Sequence, residues 1–139
     1  MRSCFAVHQK QLIMTSSVEE MIRLYISAWN ETEVNGFKTG FAKCFAVDAA
    51  YTDPLFPDIH GVDELVELVL HYLELAPVRT FSVVVQPVYH HNVGLYTWKA
   101  DVPGATREGY DYFEFNKEFK ITLLVSFFGP LVELISTSV

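Results

Sequence analysis

Cysteine, basic charge and long apolar runs are all scarce in this chain, and each scarcity removes a class of protein. There are 2 cysteines in 139 residues, Cys4 and Cys44, too few for a disulfide framework, so a reducing cytoplasm is the simpler setting. Lysine and arginine total 10 against 17 acidic residues, a net charge of -7. Nucleic acid or an anionic membrane surface as main partner would need a basic footprint to neutralise phosphate, and this balance argues against both. The longest apolar stretches, such as Ile121 to Val125, fall far short of the roughly 18 to 20 residues that span a bilayer, so no membrane anchor is expected. His8, His60, His71, His90 and His91 show no HExxH or similar ligand spacing, and no metal site or organic cofactor is expected. Neither a glycine-rich phosphate loop nor a nucleophile elbow is present.

What the chain has in excess is rings. Half of its residues are hydrophobic, with 11 Phe and 7 Tyr, more bulky aromatic surface than a domain of this length needs to fill its own core. A ring-lined cavity would use the surplus, and a neutral or weakly polar small molecule is the expected partner. The length suits one domain. Residues 1–14 read as a lead-in, either a flexible arm or a misassigned start, because Met14 is followed at once by a helix-start signature. Residues 15–139 read as a single domain.

Ser16 and Ser17 precede Glu19 and Glu20 with capping-box spacing, and Val18, Ile22, Tyr25 and Trp29 then recur at helical intervals to about Asn30. Phe37, Phe41 and Phe45 place three rings on one face of a second, shorter helix. Ala49 to Asp53 is a short extended run stopped by Pro54, with Tyr51 and Asp53 on one face. A loop marked by Pro54, Pro57 and Gly61 leads to a third helix from Asp63 to Leu75, closed by Pro77. From Arg79 the period changes to 2, giving a four-stranded antiparallel meander with turns at HNVG, PGATR and NKE. Helices grouped before hairpins define an α+β fold with the helices on one face of the sheet.

Alternation in EGYDYFEFN places Gly109, Asp111, Phe113 and Phe115 on one face and Tyr110, Tyr112 and Glu114 on the other. If the phenylalanine face is the buried one, Asp111 is paired, solvated by a pocket, or kept protonated by a raised pKa, and is a candidate for chemistry. If the tyrosine face is buried, Asp111 lies in solvent or at a sheet edge. Asp53 before Pro54 has two readings as well, a pocket carboxylate or a turn and capping residue. Tyr25 is either a site hydroxyl or a core ring with its hydroxyl satisfied. Trp98 with Tyr96 and Ala100 forms an apolar strand face, read as sheet core.

The motifs YISAWN, FAKCFAVDAAYTDP, GVDELVELV, GYDYFEFN and FFGP, in this order, resemble the nuclear-transport-factor-2-like (NTF2-like) superfamily, in particular its ketosteroid-isomerase and SnoaL-like polyketide-cyclase branch. The resemblance covers most of the chain after Met14. It implies a cone-shaped, strongly curved mixed or antiparallel sheet wrapped around three N-terminal helices, and a homodimer. It further implies that Asp53 is the general base, and that Tyr25 and a protonated Asp111 donate hydrogen bonds to a dienolate oxygen. Ketosteroid isomerase is itself a standard illustration of a carboxylic acid held neutral at pH 7. Trp29, Tyr51, Trp98, Phe113 and Phe115 are the rings expected to line the pocket. The chain departs from the isomerase pattern at Val69, where a supporting tyrosine should stand, and in the loop PLFPDIHG. The function implied is a cofactor-independent acid/base enzyme, an isomerase, cyclase or dehydratase, acting on a small apolar carbonyl compound. The alternatives are a non-catalytic binding protein for a hydrophobic metabolite and a dimeric interaction module.

Overall fold

A computed structural model describes residues 15–129, so the lead-in, with Cys4 and His8, and the last residue of FFGP lie outside the described residues. Three helices precede most of the sheet: α1 (Val18–Trp29), α2 (Val34–Ala42) and α3 (Gly61–Leu75). The strands are β1 (Phe45–Thr52), β2 (Ile59–His60), β3 (Thr80–His90), β4 (Val93–Val102), β5 (Ala105–Phe115) and β6 (Ile121–Phe128). They form one six-stranded mixed sheet in the order β2-β1-β6-β5-β4-β3, which curves around the helices without closing.

The start of α1 follows from its cap. Ser17 sits in extended backbone and its hydroxyl accepts a hydrogen bond from Glu20 N at 3.1 Å, while the Glu20 carboxylate takes the N–H of Ser16. Glu19 and Glu20 also favour the positive end of the helix dipole. The apolar stripe then buries Val18, Met21, Ile22, Tyr25, Ile26 and Trp29.

The second helix stops earlier than its ring spacing suggests. Phe37 and Phe41 are buried on α2, but Phe45, expected as the third ring of that face, opens β1. The last turn tightens, with Lys43 N bonding Gly40 O and Cys44 N bonding Phe41 O, and Ile121 N then takes Cys44 O at 2.7 Å, drawing the chain into the sheet. β1 is correspondingly longer than the extended run read from Ala49. Its pairing with β6 shifts register between Phe45 and Ala50, so the two-residue alternation is broken over its first half. The two-residue β2 and the parallel pairing of β1 with β6 are further features that the pattern of the chain did not announce.

β3 to β6 are the antiparallel meander that the alternation predicts. Pro87 is accommodated because β3 is the sheet edge and its pairing shifts register between Val85 and Val88, the interval that contains that residue. Among the described residues no helix is long and apolar enough to cross a membrane.

Candidate active site

Three neighbouring cross-strand rows on the concave face of the sheet organise the site. The first aligns Tyr96, Asp111 and Ser126; the second Val83, Trp98, Gly109 and Phe128; the third Phe81, Ala100 and Arg107. Together with α1, β1 and the end of α3 they enclose a cavity of about 970 Å³, at the upper end of the usual range for small-molecule pockets.

Asp111 lies in the first row and is 3% exposed, which places the phenylalanine face of β5 inward. Tyr96, directly opposite, donates its hydroxyl to Oδ2, and the Trp98 indole N–H donates to Oδ1 at 2.9 Å. Burial raises the Asp111 carboxyl to about 6, against the opposing pull of Ser126, Tyr96 and Trp98, which favour the charged form. Trp98 can reach Asp111 because residue 109 is glycine. A Cβ there would stand 2.2 Å from Trp98 Cζ2, so the indole lies over the Gly109 backbone.

Tyr25 enters from α1. Its ring is held by Trp29, Phe41 and Phe45, and it lines the cavity. Burial, and secondarily the negative charge of Asp111, push its hydroxyl well above the ordinary phenol value, so it is a neutral donor; the Trp29 indole opposes the rise without closing a hydrogen bond. Among the described residues the Tyr25 hydroxyl has no hydrogen-bond partner and is not a sealed orphan, so it faces the cavity space.

Asp53, at the end of β1, is 7% exposed and also lines the cavity. Oδ1 accepts from Leu55 N at 2.8 Å and Phe56 N at 2.9 Å; Oδ2 accepts from Tyr51 at 2.7 Å and Tyr72 at 2.9 Å. These bonds engage all of the roughly four acceptor positions of a carboxyl group. Asp53 thus combines both of its sequence readings, a turn-capping residue whose carboxyl group reaches the pocket wall.

The structure therefore brings Tyr25, Trp29, Tyr51, Asp53, Trp98 and Asp111 to one cavity. It does not bring Phe113 and Phe115 there. Phe113 pairs with Gly94 and Leu124 one row beyond Asp111, filling the space that a side chain at Gly94 would need, and packs at a tilt against Phe115. The two rings continue the apolar row into the core. Trp98, read as sheet core, is both core and pocket wall.

Four site residues escape a reading of single strands. Tyr72 appears in the sequence only as a helix-face ring, yet its hydroxyl reaches Asp53 from one turn beyond Val69; it supports the aspartate and not Tyr25, so the departure at Val69 stands. Tyr96 and Ser126 are recognisable only through register; counting back equally from the Pro103–Gly104 turn puts Tyr96 opposite Asp111. Arg79 donates Nη2 to Trp29 O at 2.8 Å and lines the cavity near Phe81. Among the described residues no group of three or more His, Cys, Asp or Glu side chains is placed to hold a metal ion. Burial pushes the Cys44 thiol up to about 12, leaving it unreactive.

No protein-family model matches the chain, and no curated protein sequence does. Solved structures do. A candidate isomerase of the SnoaL-like family from Agrobacterium tumefaciens superposes with a TM-score of 0.73 at 22% identity, covering 80% of this chain and 96% of that one. A candidate polyketide cyclase from Sinorhizobium meliloti gives 0.62 at 16% identity, over 77% and 93% of the two chains. A candidate ketosteroid isomerase from Kribbella flavida gives 0.64 at 15% identity, over 81% and 78%. At these identities the likeness establishes architecture, and the chain has the NTF2-like, cystatin-like α+β fold.

Proposed function

We propose that the protein is an acid/base enzyme that moves a proton on a small, mostly apolar carbonyl compound, by isomerisation, cyclisation or dehydration. One observation carries this reading: the buried carboxyl group of Asp111, raised to about 6 by desolvation, and the neutral hydroxyl of Tyr25, close enough to feel its charge, line the same aromatic cavity. A proton carrier works best with a pKa close to the working pH, and a neutral hydroxyl in a dry site stabilises a developing enolate oxygen.

The hydrogen bonds support a particular division of labour. Asp53 has no open acceptor position unless Tyr51 or Tyr72 turns away, whereas Asp111 accepts from Tyr96 and Trp98, and even with Ser126 turned toward it one of its roughly four acceptor positions stays open for a substrate proton. Asp111 is the proton carrier in this reading, Tyr25 polarises the carbonyl, and Asp53 fixes Tyr51, Tyr72 and the following loop. That assignment exchanges the roles which the resemblance gives to the two aspartates.

The test is a panel of β,γ-unsaturated cyclic ketones and polyketide-like ketones, followed by ultraviolet absorbance and by deuterium incorporation at the α-carbon. Wild-type protein accelerates exchange, and Asp111→Asn removes the acceleration; a panel with no acceleration by wild type overturns the proposal. The second reading, a non-catalytic binder of a hydrophobic metabolite, is favoured by the saturation of Asp53, and it predicts tight binding with no exchange.

The assembly belongs to the same proposal. Two rows on the convex face of the sheet, Val88 with Leu95, Tyr112 and Val125, and Val85 with Thr97, Tyr110 and Phe127, form a largely apolar surface. Tyr110 and Phe127 stack at 4.9 Å, and Phe127 is 40% exposed. A second copy of the chain covers this surface in the homodimer that we propose.

A further inference from the structure

The cavity wall carries both signs of charge. Asp53 and Asp111 are buried in it, whereas the partly exposed Arg79 and the exposed Arg107 stand on the same wall, in a chain with few cations of any kind. Arg107, Gly109 and Asp111 share one face of β5, so Arg107 lies four residues from Asp111, about 13 Å along the strand. The Trp98 indole covers Gly109 between them and makes an aromatic floor. Arg79 approaches the same part of the wall, because Phe81, whose ring it neighbours at 5.7 Å, aligns across Ala100 with Arg107.

Neither guanidinium is neutralised. The ion pairs among the described residues are Arg23 with Glu20 and Lys99 with Asp101, and Glu108, which also lines the cavity, pairs with neither arginine. Arg79 uses Nη2 for the carbonyls of Trp29 and Glu31, which fixes the guanidinium in place. Its Nε–H is buried without a partner, a donor whose desolvation nothing in the described chain offsets. Arg79, fixed and partly desolvated, and the exposed Arg107, with no carboxylate paired to either, suit an anionic group.

We propose that the substrate is an amphipathic keto acid: a flat apolar body lying on Trp98, its carbonyl at Tyr25 and Asp111, and its carboxylate at Arg79 and Arg107. The carbonyl end rests on the acid/base reading above; the carboxylate end stands on the arginines alone. The two cations also account for how an anionic protein admits an anionic ligand, since they reverse the local sign at that wall.

Calorimetric titration of the full-length protein with 4-(4-acetylphenyl)butanoate, whose ring lies between its ketone and its carboxylate, and with its methyl ester separates the two ends. Wild type binds the acid at least about tenfold more tightly than the ester, equivalent to about 1.4 kcal/mol. The preference shrinks with added salt. It falls toward one in Arg107→Gln and in Arg79→Gln. Arg107 is exposed, so its substitution reports even if loss of the Arg79 carbonyl bonds harms folding. Equal binding of acid and ester, a preference for the ester, no measurable binding of the acid, or an acid preference that survives in Arg107→Gln would each overturn the inference. Asp111-dependent turnover of neutral ketones without acid preference leaves the catalytic reading standing and removes this one; acid preference without turnover of any ketone does the reverse.

Discussion

Asp111 is expensive to keep. Its folded-state value of about 6 lies above the ordinary carboxyl value near 4, so between those pH values the folded chain binds a proton that the unfolded chain has released. Stability contributed by this group is therefore present at low pH and is lost as pH rises from about 4 through 6. At neutral pH the buried charge costs on the order of 3 kcal/mol relative to its protonated form, a net cost that already includes the relief from its hydrogen bonds. Asp111→Asn is accordingly expected to raise the thermal midpoint at pH 7.5 while removing activity, and the gain should vanish near pH 4 in calorimetric scans. A residue serving only the fold would give a loss of stability instead. Tyr25→Phe removes a donor without removing the ring, and should lower kcat by about tenfold to a hundredfold with KM little changed.

Between elements, the site depends on close approaches that only particular residues allow. Gly109→Ala would set its Cβ 2.2 Å from the Trp98 ring and 2.4 Å from Phe127 O, so the indole must leave Asp111. Both a lower thermal midpoint and altered tryptophan fluorescence are expected; an unchanged spectrum would mean that Trp98 is not held there. At the far end of the molecule, Ser17→Ala removes the α1 cap and should cost about 1 kcal/mol in urea unfolding with no effect on ligand binding. The elements themselves were legible where one face is buried and the period is clean: the cap and stripe of α1, the stripe of α3, and the alternation of β3 to β6. Legibility failed at Phe45, where helical ring spacing runs on into a strand, and in the first half of β1, where irregular pairing erases the alternation. Asp111 could be singled out from the chain because it is a polar group in an apolar row, whereas the roles of Tyr25 and Asp53 came from the resemblance of their motifs. Tyr96, Tyr72 and Arg79 could not be singled out, because only register and the curvature of the sheet bring them to the aspartates.

For the whole molecule, the curved sheet separates two tasks. Its concave face holds the cavity, with buried carboxyl groups and more exposed arginines on one wall, and its convex face offers the apolar rows around Tyr110 and Phe127. If a second copy covers those rows, Phe127→Glu should convert a dimer to a monomer in sedimentation velocity, while ligand binding in the concave face survives. A wild-type protein that sediments as a monomer at high concentration would remove the dimer proposal. The central claim is that Asp111, and not Asp53, carries the proton. The most direct measurement is the pH dependence of kcat/KM for α-proton exchange in wild type, Asp111→Asn and Asp53→Asn. The account predicts a wild-type inflection near pH 6, a loss of about a hundredfold or more in Asp111→Asn, and in Asp53→Asn a smaller loss that keeps the inflection. Full activity in Asp111→Asn, with activity abolished in Asp53→Asn, would contradict it.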